Sequence, residues 1–158
     1  MRFLYYVLFT AAVVGLDQFT KYLTLANIPL HTEVPFIPGF LGFTYVRNYG
    51  AAFSSFQGQQ WLFAVIFAAF TAGVIWEYRK NPLGFNKFER WCIAAIYAGG
   101  LGNMIDRVRF GYVVDMIQTK FMDFPVFNVA DCFITCGCFA MLFSLFFINK
   151  AFWKEEKK

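Results

Sequence analysis

The sequence predicts an all-α polytopic membrane protein: four transmembrane helices with a small extracytoplasmic β-sheet cradle and a short outer loop or helix. Three observations carry this prediction. Of 158 residues, 59% are hydrophobic and 15% charged, whereas soluble domains are about half apolar and about one-quarter charged. Four windows, Phe3–Ala26, Gln60–Tyr78, Trp91–Ile105 and Phe127–Ile148, approach the roughly 20 apolar residues that cross a bilayer. The basic residues cluster at the ends of these windows, as topology signals do.

The first helix is expected at about 3–26. Arg2 precedes it, but no small-residue cleavage site follows, and the run continues into Asp17 and Lys21. The next segment, 28–58, is an outer one. Within it Phe40–Arg47 is aromatic and β-branched and follows Pro35, Pro38 and Gly39, so Gly42–Arg47 is predicted as a strand. Phe40, Phe43 and Tyr45 are expected in the headgroup zone.

The second helix is expected at about 60–78 and the third at about 91–107. Arg79, Lys80, Lys87 and Arg90 crowd the loop between them, and Lys150, Lys154, Lys157 and Lys158 follow the fourth helix, at about 127–148. By the positive-inside rule, both termini and that loop are cytoplasmic, and the second outer segment is 108–125. Residues 1–158 form a single membrane-embedded domain, without internal repeat or linker. The net charge of +4 does not follow one polar face, so no nucleic-acid partner is expected.

Charges inside hydrocarbon are costly and mark function. Asp17, Lys21, Asp106, Arg107 and Asp131 are therefore the informative residues. At about 1.5 Å per residue, Asp17 and Asp106 lie roughly 23 Å from the inner face and Asp131 roughly 6 Å below the outer face, which brings the three carboxylates to one level. Asp115 follows Gly111 on a run able to fold back over that level. Asp17–Lys21 is spaced for an ion pair, and Asp106 beside Arg107 offers a second. Asp115 and Asp131 have no adjacent Lys or Arg, which favours two carboxylates sharing one proton.

Such a pair supplies acid and base together, because two carboxylates in contact cannot both ionise. The ionised partner deprotonates a water while the protonated one donates to the scissile carbonyl oxygen. His31 is the one histidine, so histidine triads and multi-histidine metal sites are poorly supported. Cys92, Cys132, Cys136 and Cys138 lie in apolar runs and read as packing residues. A dyad of Lys21 with Ser54 or Ser55 is a weaker alternative. A proton-coupled transporter would use the same charges as a relay, and a non-catalytic precursor chaperone would need no carboxylate pair.

Four blocks occur in order: Asp17-Gln-Phe-Thr-Lys21, Asn48-Tyr-Gly-Ala-Ala-Phe-Ser54, Gly102-Asn-Met-Ile-Asp-Arg107 continuing through Gly111 to Val114-Asp115, and Phe127-Asn-Val-Ala-Asp-Cys-Phe-Ile134. Over nearly the whole chain, they resemble the bacterial lipoprotein signal peptidases (signal peptidase II). The resemblance implies Asp115 and Asp131 as catalytic residues, with Asp17, Lys21, Asn48, Asn103, Arg107, Asn128 and Ala130 binding substrate or supporting the site. It implies no metal or cofactor. The implied partners are prolipoproteins carrying diacylglyceryl-cysteine, cleaved just before that cysteine, together with membrane lipids. The implied location is the bacterial inner membrane, with the active site near the outer face; the enzyme is expected to be monomeric. Met116 stands where the family often has Phe, which removes no catalytic group. The interval from Asp115 to Asp131 is short for the family. Gly99, Gly100 and Gly102 are expected to permit close helix packing.

Overall fold

A computed structural model of the chain describes residues 2–50 and 59–149. Ala51, Ala52, Phe53 and Ser54 of the second block, Ser55 after it, and the basic tail from Lys150 lie outside the described residues. The elements run α1 (Arg2–Asn27), β1 (Glu33–Ile37), β2 (Leu41–Asn48), α2 (Gln60–Lys80), α3 (Lys87–Phe110), β3 (Val113–Thr119) and α4 (Val129–Phe143). A π-helical turn, Ser144–Ile148, ends α4.

Phe3–Asn27, Gln60–Lys80 and Val129–Ile148 are long and apolar enough to cross a membrane, and little of their most hydrophobic stretches is buried inside the protein. Aromatic and aliphatic side chains such as Phe19, Trp61, Phe139 and Phe147 point outward, whereas Asp17, Lys21, Asn103, Asp106, Asp115 and Asn128 are buried. Lipid as solvent rewards this inversion, because apolar surface loses nothing there and charges must find partners inside.

The third helix is more polar and packs against the other three. It begins earlier than the sequence reading placed it, so Lys87 and Arg90 belong to its first turn and not to a loop. Asn86 accepts the Glu89 N–H at 3.0 Å and Glu89 accepts the Asn86 N–H at 2.8 Å, closing a capping box. At the other end Gly111, with φ +76°, takes the left-handed conformation that stops a helix. Glu89 is fully buried; it also accepts the Ser144 hydroxyl and the Asn149 amide, which fastens the π turn to α3.

Glycines set the spacing of the helices. A Cβ on Gly99 would lie 2.4 Å from the Ala130 carbonyl oxygen, and one on Gly102 would lie 2.6 Å from Asp17 Oδ2. Gly137 of α4 returns the contact, since a Cβ there would meet Ile96 at 2.8 Å. With backbones this close, dispersion and polar contacts hold α3, α4 and α1 together without a hydrophobic drive.

The three strands form an antiparallel sheet in the order β1-β2-β3. The predicted strand Gly42–Arg47 falls within β2. Segment 108–125 contributes β3, and no helix occurs between Gly111 and Pro125. Val46 pairs with Asp115 and Asn48 with Val113, while Phe127 bridges to Ile117 beside α4. Val114 and Met116 pack on Tyr45; the two-residue strand period therefore turns Asp115 to the opposite face. Tyr45 is buried, with its hydroxyl between Tyr112 and Arg47, and so is not a headgroup anchor. Phe40, half exposed, stacks on Phe121.

Candidate active site

Asp115 reaches the site from β3 and Asp131 from the first turn of α4. Asn128 is the N-cap of α4: its Oδ1 accepts the Asp131 N–H at 3.0 Å, and Asp131 Oδ2 accepts the Asn128 N–H at 3.1 Å. The same residue's amide Nδ2 donates to Asp115 Oδ1 at 2.6 Å. One asparagine thus contacts both carboxylates.

Each remaining carboxylate oxygen has its own amide donor. Asn103 Nδ2 donates to Asp131 Oδ1 at 2.7 Å, and Asn48 Nδ2 donates to Asp115 Oδ2 at 2.9 Å. Neighbouring donors dictate how these amides face. Lys21, which can only donate, bonds Asn103 Oδ1 at 2.9 Å and so turns the Asn103 NH₂ toward Asp131. The Gly50 N–H bonds Asn48 Oδ1 at 3.0 Å, which turns that NH₂ toward Asp115.

Beneath the pair lies an ion cluster. Lys21 Nζ is 2.9 Å from Asp17 Oδ2 and 3.0 Å from Asp106 Oδ2. With Asn103 these acceptors match the three N–H donors of a lysine ammonium; Ser54 and Ser55, its partners in the serine–lysine alternative, lie outside the described residues. The expected Asp17–Lys21 pair is present, but Asp106 pairs with Lys21 rather than with Arg107. Adjacent residues on a helix do not face each other. Asp106 Oδ2 also accepts the Val114 N–H at 3.0 Å, which steadies the strand next to Asp115.

Ala130 enters through its backbone, donating to Asp17 Oδ1 at 2.9 Å. Arg107 donates to the carbonyls of Gly50 and Asn103 and lies 4.3 Å from the Phe63 ring centre, while its buried Nε has no partner among the described residues. Gln18, which sequence reasoning missed, donates to Asp106 Oδ1 at 2.9 Å and contacts Asp17 and the Gly102 carbonyl. Nothing in its spacing set it apart from a lipid-facing residue.

Asp115 is nearly inaccessible. Burial, with the neighbouring Asp131 charge adding to it, pushes its carboxyl up to about 7, while the bonds from Asn48 and Asn128 hold it down. Among the described residues no three His, Cys, Asp or Glu side chains are grouped as a metal site needs.

Lipid-facing helices surround two aspartates joined through one asparagine, Asp115 buried and Asp131 half-buried, an arrangement compatible with a membrane-embedded aspartic endopeptidase. A family model for signal peptidase (SPase) II matches residues 9–147. The chain is 45% identical over 149 residues to the lipoprotein signal peptidase of Enterococcus faecalis, covering 92% of this chain and 90% of that one. It is 40% identical over 156 residues to that of Streptococcus agalactiae, covering 99% and 96%. Two solved structures described as a bacterial membrane enzyme, each 34% identical, superpose with TM-scores of 0.85 and 0.81. They cover 97% and 91% of this chain, and 93% and 94% of their own. The chain belongs to the signal peptidase II family.

Proposed function

We propose that Asp115 and Asp131 are the catalytic pair with which this peptidase removes signal peptides from prolipoproteins, cutting just before the diacylglyceryl-modified cysteine. The supporting observation is that Asn128 bonds both carboxylates, while no Lys or Arg forms an ion pair with either among the described residues. Two such acids hold one proton between them. Asp115, with its raised affinity, keeps that proton and donates it to the scissile carbonyl oxygen. Asp131 takes a proton from the attacking water, and the roles reverse as the tetrahedral intermediate collapses.

Asn48, Asn103 and Asn128 orient the two acids; Asp17, Lys21 and Ala130 support them from below. Arg107 anchors the chain after β2. An unwound signal peptide needs polar partners for its backbone in lipid, and the β2–β3 sheet beside Asp115 is a cradle of the right kind. The protein is a multi-pass inner-membrane enzyme. The finer topology proposed has four crossings, with α3 as the extra one. Its 24 residues rise about 36 Å, enough for a core about 30 Å thick. Both termini are then cytoplasmic, the sheet and the aspartates lie near the outer face, and residues 1–158 act as one domain.

The test is cleavage of a synthetic diacylglyceryl lipopeptide followed by mass spectrometry. Asp115→Asn and Asp131→Asn should each insert and fold, since the amide oxygen still accepts a hydrogen bond, yet leave the precursor uncut. Wild-type turnover by either variant would remove the pair from the mechanism.

A further inference from the structure

Away from the aspartates, a cleft of about 840 Å³ opens between α1 and α2 with α3 as its floor. Its lining is mostly apolar, with Thr10 and Thr71 on its walls and the charged Arg79 at one end, in the last turn of α2. On α1 the wall runs from Phe3 to Val14. That is about 17 Å of helix, or half of a hydrocarbon core of about 30 Å. At the α1 N-terminal end Tyr6 meets Tyr78 at 5.1 Å between ring centres. Toward the aspartates Phe67 of α2 stacks on Tyr97 of α3 at 5.3 Å and rests on Gly100, and the lining ends at Val14 on α1 and Thr71 on α2.

We propose that this cleft binds one glycerophospholipid from the leaflet around the α1 N-terminus, with acyl chain against Val7, Ala11 and Ile75 and phosphodiester on Arg79. The depth fits one leaflet and stops there. A signal-peptide helix would cross both leaflets, about 30 Å, and so run well past a wall of about 17 Å. Charge points the same way. Among the described residues no carboxylate pairs with Arg79, so its guanidinium is open to a phosphate. A basic segment at the start of a signal peptide would be repelled there. Ala11 and Val7 are exposed on the cleft wall, so the space is reached sideways from the bilayer.

Native mass spectrometry of the whole protein, with phosphatidylglycerol titrated in and phosphatidylcholine as the net-neutral comparison, tests the site. One phosphatidylglycerol should stay bound per chain, in preference to phosphatidylcholine. Ala11→Phe and Val7→Phe, which fill the cleft, should each weaken that binding roughly tenfold, and Arg79→Gln should abolish the preference, a loss of about threefold. All three variants should cleave the lipopeptide like wild type, which certifies their folding. Undiminished lipid binding in both filled variants would overturn the site. So would a fall in signal-peptide binding or in self-association with lipid binding unchanged, because the cleft would then hold a helix.

Discussion

Asp17 Oδ1 accepts the Ala130 backbone N–H at 2.9 Å, so a carboxylate on α1 is the anion at the N-terminus of α4. Helix starts leave such donors unpaired and carry a partial positive charge. Asp17→Ala should therefore loosen the turn that carries Asp131. We expect a stability loss of about 1–3 kcal/mol in detergent and a fall in kcat, with Asp17→Asn closer to wild type in both. Thermal unfolding alongside lipopeptide turnover measures this; equal behaviour of Asp17→Ala and wild type would refute it.

Asp115 gives the site a pH signature. Its carboxyl sits at about 7 in the fold, against about 3.9 when free. Folding favours its protonated form. That contribution to stability is whole below about pH 4, shrinks as pH rises and is lost above about pH 7. Activity should show an alkaline limb near pH 7 belonging to the coupled pair. Because the Asn48 amide holds the Asp115 carboxyl down, Asn48→Ala should move that limb to higher pH while lowering the rate. A pH–kcat/KM profile reads both; an unmoved limb would contradict the geometry.

Lys21 balances two buried carboxylates. Lys21→Met leaves Asp17 and Asp106 charged and unpaired, which costs about 3–5 kcal/mol when a buried pair is broken. Little folded protein should be recovered. Adding Asp17→Asn and Asp106→Asn should restore part of the yield, scored by size-exclusion chromatography. No rescue would mean that Lys21 matters for some reason other than charge.

Gly99 has no room for a methyl group, since its Cβ would strike the Ala130 carbonyl, while Gly15 faces open space. Gly99→Ala should destabilise by about 1–3 kcal/mol through overpacking. Gly15→Ala should be neutral or gain up to about 1 kcal/mol. Comparable melting temperatures for the two variants would contradict the close packing of α3 on α4.

The sequence carried much of the site because lipid makes charge conspicuous. Asp17 and Lys21 were legible as an ion pair from their four-residue spacing; Asp115 and Asp131 were singled out by the lack of a neighbouring cation together with the family resemblance, and the structure brings both onto Asn128. Asp106 misled, since adjacency in sequence with Arg107 does not place two side chains on one helix face. The start of α3 was readable in principle: Asn86 followed three residues later by Glu89 is a capping-box pattern, obscured by reading basic residues as loop markers. β1 escaped notice because Pro35 interrupts it and all five residues are exposed, as an edge strand tolerates. The third strand had no turn signal beyond Gly111; its pairing with β2 is a long-range contact that spacing cannot reveal.

Asp131 is both a proposed reacting acid and the residue that closes the capping box with Asn128. The proposed chemistry and helix initiation therefore depend on one carboxylate, whose Oδ2 accepts the Asn128 N–H while its Oδ1 accepts from Asn103. A compound that gripped those oxygens would leave the organism few escapes, because a replacement side chain that sheds the compound would also unfasten the start of α4.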